Sequence, residues 1–138
     1  MKWKEEFSVG IPEIDEEHQV LVQCVTDIEA KVTSGEGSSV VHSAIGRFVS
    51  ILGNHFSGEE RLMRHLNYPD FAAHIVEHEQ FMADVKAIEA RTLSDPLPPE
   101  LVAILRKWLE DHFMSDDKHY AAFFRQHRAE GDKPVNEQ

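Results

Sequence analysis

The chain has one cysteine in 138 residues, so it cannot close a disulfide within itself, and it offers no thiolate cluster for zinc or iron–sulfur chemistry. Cys24 reads as a small core residue of the first helix. Basic side chains are also scarce, 14 against 25 acidic ones, for a net charge of −11. That balance repels nucleic acid and anionic membrane surfaces, so neither is expected as a partner. No apolar run is long enough to span a bilayer, and the opening MKWKEEFSVG carries charge where a secretory signal needs an apolar stretch. A cytoplasmic protein is expected. The length suits one domain, residues 1–130, followed by a polar tail at 131–138.

Histidine, by contrast, is abundant, with nine in the chain. Where these fall depends on the helical pattern. Residues 1 to 15 mix Trp3, Phe7, Val9, Ile11 and Ile14 with charges and show no helical period, which predicts an extended arm laid over the rest. Asp15 is placed to cap a first helix whose inward face is His18, Leu21, Val22, Val25, Ile28 and Val32. The flexible segment SGEGSS, 34–39, leads to a second face of Ile45, Phe48, Val49, Leu52, His55, Phe56, Glu59, Leu62 and Met63. A turn at Asn67–Asp70 precedes a third, with Phe71, His74, Ile75, His78, Phe81, Met82, Val85 and Ile88. After TLSDPLPPE, with Pro98 or Pro99 suited to a first helical turn, Leu101, Ile104, Leu105, Trp108, Leu109, His112 and Phe113 outline the fourth. A short C-terminal helix is expected around Tyr120 to Arg128. Short connections join antiparallel neighbours, so the fold class is all-α, an up-down-up-down four-helix bundle.

Polar residues thus fall on the buried stripe of every helix. An imidazole or carboxylate left unpaired in a dry core costs a few kcal/mol, a cost that metal coordination removes. The pairs His55 with Glu59 and His74 with His78 are spaced i,i+4, a rotation of about 40°, so each can aim both side chains at one point. From His112, Asp117 is five residues on, a swing of roughly 140° on an ideal helix, and spacing leaves Asp116 and Asp117 both open. His42, His65, His119 and His127 read as ordinary hydrogen-bonded or solvated histidines. Five imidazoles with two carboxylates suit a first-row redox ion such as iron better than zinc, calcium or magnesium. Two irons bridged by both carboxylates and an oxo or hydroxo group fill six positions on one ion and five on the other. The open position could bind and release dioxygen.

The segments IDEEHQVL at 14–21, HFSGEE at 55–60, HIVEH at 74–78 and WLEDHFMSDDKHY at 108–120 resemble the hemerythrin family, over essentially the whole chain from Trp3 to Tyr120. The resemblance implies that Asp117 rather than Asp116 is the carboxylate after His112. It implies His74, His78 and His112 on the six-coordinate iron, His18 and His55 on the five-coordinate one, and Glu59 and Asp117 bridging. Dioxygen would bind end-on at the iron held by His18 and His55. Leu21, Phe56, Trp108, Leu109 and Phe113 stand within a turn of these residues and would form a dry wall around it; Phe113 departs from the smaller aliphatic residue common at that place in the family. Reversible oxygen binding for storage, delivery or buffering is the expected function, without an enzymatic role. The alternative is a di-iron redox enzyme or sensor acting on nitric oxide or peroxide, with small anions able to reach the same iron. A third reading is a domain that recruits an oxygen-using enzyme.

Overall fold

The computed structural model describes residues 1–114 and 116–131. Among the described residues a short 3-10 turn at Glu5–Phe7 is followed by the helical segments α1 Pro12–Thr33, α2 Ser38–His65, α3 Phe71–Arg91, α4 Pro99–Met114 and α5 Asp116–Gly131. The apolar periodicity of the sequence locates the first four. They form an all-α bundle in which α1 packs against α2 and α4, α2 also against α3, and α5 against α4. No helix among the described residues is long and apolar enough to cross a membrane.

The boundaries depart from the sequence expectations in three instructive places. Asp15 does not cap the first helix. Pro12, whose fixed φ and missing N–H suit a first position, starts α1 after an extended Ile11. Asp15 lies inside the helix and turns its carboxylate back onto the arm, accepting from the Val9 amide at 2.9 Å and the Ser8 hydroxyl at 2.6 Å. The connector at 34–39 is shorter than expected because α2 already begins at Ser38. The last helix is longer than Tyr120–Arg128: it begins at Asp116, where the run DDKH has no apolar period to signal it, although acids suit a helix N-terminus. Of the polar tail expected at 131–138, all but Gly131 lies outside the described residues.

The turn after α2 was legible for a definite reason. Asn67 takes a left-handed φ of 56°, and the Tyr68 amide closes back on the Met63 carbonyl at 2.9 Å, the helix-ending hydrogen bond that such a residue permits.

The interior divides in two. The main core joins Val25, Ile28, Ile45, Phe48, Leu52, Val85 and Leu105 from all four long helices. A smaller cluster joins Val9, Ile11 and Ile14 to Met63, Tyr68, Tyr120 and Ala121, so the arm and α5 together cover one end of the bundle. Arg125 fastens that cover by donating from Nη1 to the Val9 carbonyl at 2.7 Å. The neighbouring Gly10 has φ +77°, and a Cβ there would collide with the same guanidinium. Gly10→Ala is therefore expected to cost about 1–2 kcal/mol through the left-handed backbone, measurable by denaturant unfolding; unchanged stability would show that the arm is not held in this way.

Candidate metal centre

His18 and His74 lie near the starts of α1 and α3, His55 and His112 near the ends of α2 and α4. These four meet at the covered end, as an alternating up-and-down arrangement requires. His78 and Glu59 are one turn from His74 and His55, the i,i+4 spacing that keeps each pair on one face. Asp117 joins from α5. Asp117 comes beside His112, with Oδ1 2.8 Å from Nε2, despite the roughly 140° swing that five residues make on an ideal helix.

All seven side chains are buried, with residue exposure of 5 % or less. Two groups of possible ligand atoms form, Glu59, His74, His78 and His112 on one side and His18, His55, Glu59 and Asp117 on the other, each with its atoms within 4.8 Å of one another. The carboxylates divide their oxygens between the sides. Glu59 turns Oε1 toward His55 Nε2, which it touches, and toward His18 Nε2 at 3.9 Å. Its Oε2 lies 3.5 Å from both His74 Nε2 and His78 Nε2. Asp117 places Oδ2 at 2.9 Å from His18 Nε2, and Oδ1 at 2.8 Å from His112 Nε2 and 3.7 Å from His74 Nε2.

These approaches are short, yet they lack hydrogen-bond geometry. Both oxygens of Glu59 and of Asp117, both ring nitrogens of His18, and Nε2 of His55, His74 and His78 find no hydrogen-bond partner among the described residues. So many unsatisfied donors and acceptors in one dry place would cost several kcal/mol. The atoms point at shared positions between the residues, which is how a donor set fits cations.

Two of the outward ring nitrogens, on His78 and His55, face carboxylates of their own. His78 Nδ1 donates to Glu60 Oε2 at 2.7 Å, which leaves Nε2 as the lone-pair nitrogen facing the centre. Glu17 Oε1 stands 3.5 Å from His55 Nδ1. Such partners fix ring orientation and raise basicity. Protonation follows the same layout. Burial disfavours an imidazolium at His55, but the Glu59 and Glu17 carboxylates outweigh it and push its pKa up to about 10. Burial likewise opposes charge on His18, and contacts with Asp117 and Glu59 raise it nonetheless. Burial alone would raise both carboxylic acids; the surrounding histidines instead hold Glu59 well below its ordinary range and Asp117 also below it. Without cations the cluster is therefore zwitterionic, and cations would enter by displacing protons.

Residues 9–124 match the hemerythrin HHE cation binding domain. The chain belongs to the hemerythrin family. Hemerythrins are di-iron, oxygen-binding proteins and in the main not enzymes. Among the relatives, a bacteriohemerythrin from Stenotrophomonas maltophilia (strain R551-3) is 30% identical over 138 residues, covering 94% of this chain and 90% of its own. A myohemerythrin from Riftia pachyptila is 30% identical over 118 residues, 86% of this chain and 88% of its own. A hemerythrin-like protein from Naegleria gruberi is 26% identical over 118 residues, with the same two coverages.

In this hemerythrin the five residues expected to form an oxygen wall take different stations. Phe113 stacks on His18, centroids 4.1 Å apart. Phe56 stacks on His78 at 3.7 Å and lies tilted 6.1 Å from His55. Trp108 stacks on His112 at 4.7 Å, with Phe81 on its ring at 3.4 Å. Leu21 and Leu109 are buried in the main core with Phe56 and Phe113. The four remaining histidines stay out of both groups: His42 bonds the Glu89 carbonyl and the Thr92 hydroxyl, His127 the Phe123 carbonyl, and His65 and His119 are exposed.

Three residues near the centre escaped sequence reasoning. Glu17 and Glu60 sit one position from residues that did attract notice, in DEEH and GEE, and only the helix register distinguishes them from solvated acids. Tyr120 lies under the cover, 6.1 Å from the His74 ring. Burial and the Glu59, Asp117 and Glu17 charges push its phenol far above its ordinary pKa.

Proposed function

We propose that His74, His78 and His112 hold one iron, His18 and His55 a second, and Glu59 and Asp117 both, and that the chain reversibly binds dioxygen on the His18–His55 side. The observation that carries this reading is the division of each carboxylate between the two histidine groups, one oxygen to each. Three imidazoles against two leave the His18–His55 side one donor short. A bridging oxo or hydroxo group completes the assignment. Bound there, a ferrous pair supplies the electrons that reversible oxygen binding draws on.

The chain's own residues do the rest. Glu60 and Glu17 orient the imidazoles of His78 and His55. Phe113, stacked on His18, shields that face of the side that is one donor short, with Leu21 and Leu109 in the same core, and none of the three has a proton to give. Trp108 backs the three-histidine side. Dryness of this kind favours release of oxygen unchanged over proton-coupled reduction.

The test is the visible absorption of anaerobically reduced, iron-loaded protein before oxygen, after oxygen and after purging, with iron counted per chain. A band that appears with oxygen and vanishes on purging, at two irons per chain, is the expected result. A band that decays straight to the ferric spectrum would favour a redox enzyme acting on peroxide or nitric oxide. The assignment of Asp117 has its own check: Asp117→Asn should lose at least one iron per chain, whereas Asp116→Asn should keep two, and the reverse pattern would overturn it.

A further inference from the structure

A cleft of about 390 Å³ opens between the arm, α1, α2 and α5, and its lining includes Glu59. Glu59 is otherwise buried, 5 % exposed, and neither of its oxygens has a hydrogen-bond partner among the described residues. Glu13 and Glu17 stand in the same lining, one turn apart on α1 and both exposed to solvent. Glu17 also reaches inward to His55, as described above. The remaining lining is largely apolar, with Ile11, Ile14 and Leu62 prominent, and among the described residues it contains no lysine or arginine.

From these observations we infer that the cleft is the entry route for hydrated divalent cations, with Glu13 and Glu17 drawing the ion in and Glu59 receiving it at the inner end. The inference rests on the two-iron reading and extends it from where the ions sit to how they arrive. Carboxylates along low-dielectric walls concentrate field lines, and a cleft of one sign raises the local concentration of the opposite charge, with gains in association rate of about 10- to 1,000-fold. The same field repels anions. Glu59 suits the receiving role because its two oxygens face different histidine groups, so an ion met at this carboxylate is within reach of either side. A smaller depression of about 160 Å³ touches His74 and holds Asp70 and Glu77. It reaches an imidazole that serves one group, not a carboxylate that serves both, and so is the weaker route.

The experiment is anaerobic loading of metal-free protein with ferrous ion, stopped at intervals by a chelator, with the rate read separately from the final iron count. Glu13→Gln combined with Glu17→Gln should load roughly tenfold more slowly at low ionic strength. The difference should shrink to about twofold or less near 0.5 M salt, where charges are screened within a few ångströms. Asp70→Asn combined with Glu77→Gln makes the same change in net charge at the rival depression and should load at the wild-type rate. Gly58 lines the cleft on α2, and a Cβ there meets nothing within 4 Å. Gly58→Leu should therefore fold normally, narrow the passage, and slow loading at every salt concentration.

Equal rates for wild type and the Glu13/Glu17 variant would overturn the electrostatic role, and an unslowed Gly58→Leu would overturn the cleft as the route. Slowing confined to the Asp70/Glu77 variant would move the entry to His74. Wild-type protein that never reaches two irons per chain would instead count against the underlying two-iron reading, whatever the rates.

Discussion

Glu59→Ala is expected to reduce iron from two per chain to one or none and, in the metal-free protein, to cost about 3–5 kcal/mol of stability, the usual loss when one partner of a buried charge pair is removed. Both effects follow from a single carboxylate. Its Oε1 faces His55 and His18 while its Oε2 faces His74 and His78, so truncation takes a donor from each side. In the absence of cations it is also a principal countercharge to His55. The stability loss carries a pH signature. The raised His55 pKa, from 6.5 to about 10, contributes stability fully below 6.5 and loses it as pH rises through 10. The lowered Glu59 pKa contributes above its ordinary 4.5 and loses it on acidification. The gap between wild type and variant should thus be widest near pH 5–6 and narrow steadily toward pH 10. Denaturant unfolding of both proteins across that range gives the answer. Two irons per chain in the variant would sink the bridging assignment, and a gap independent of pH would sink the electrostatic account.

Phe113→Ala should produce the second large effect. The ring is 1 % exposed, stacks on His18 and meets Phe7 edge-on at 5.8 Å. Emptying that volume should cost about 3–5 kcal/mol. It should also let water reach the side that is one donor short, so that the oxygen-dependent absorption decays to the ferric spectrum roughly tenfold faster, equivalent to about 1.4 kcal/mol taken from the barrier. Phe113→Leu separates the two consequences: an apolar side chain remains, so most of the decay rate should be retained while some packing energy is lost. A wild-type decay rate in Phe113→Ala would place the water barrier elsewhere.

The parts of this protein that could be read from its sequence are those written in helical period. His18, His55, Glu59, His74 and His78 each fall in step with apolar neighbours on one long helix, and burial of that stripe carries them inward. Asp117 is of another kind. Spacing could not choose it over Asp116 because five residues on from His112 is out of step with the ideal helical period, and the family resemblance had to supply it. Asp15 shows the converse failure: a residue type well suited to capping lost that position to Pro12 and was used to pin the arm instead. Glu17 and Glu60 look like solvated acids in one dimension, since their partners His55 and His78 are 38 and 18 residues away along the chain. Phe56 and Trp108 share helix faces with His55 and His112, but which histidine ring each stacks on depends on side-chain direction across helices, which periodicity does not encode.

The chain has two tryptophans, and the fold gives one to each half of the centre. Trp108 lies flat on His112, and Trp3 is 6.4 Å from Phe113, the ring stacked on His18. The molecule thereby contains a pair of fluorophores at opposite flanks of the candidate centre, and iron held there is expected to quench both. Ultraviolet-excited emission then becomes a native gauge of occupancy without any attached dye. Trp108→Phe would leave Trp3 reporting from the His18 flank alone, and Trp3→Phe the reverse, so the order in which the two halves fill can be followed by light.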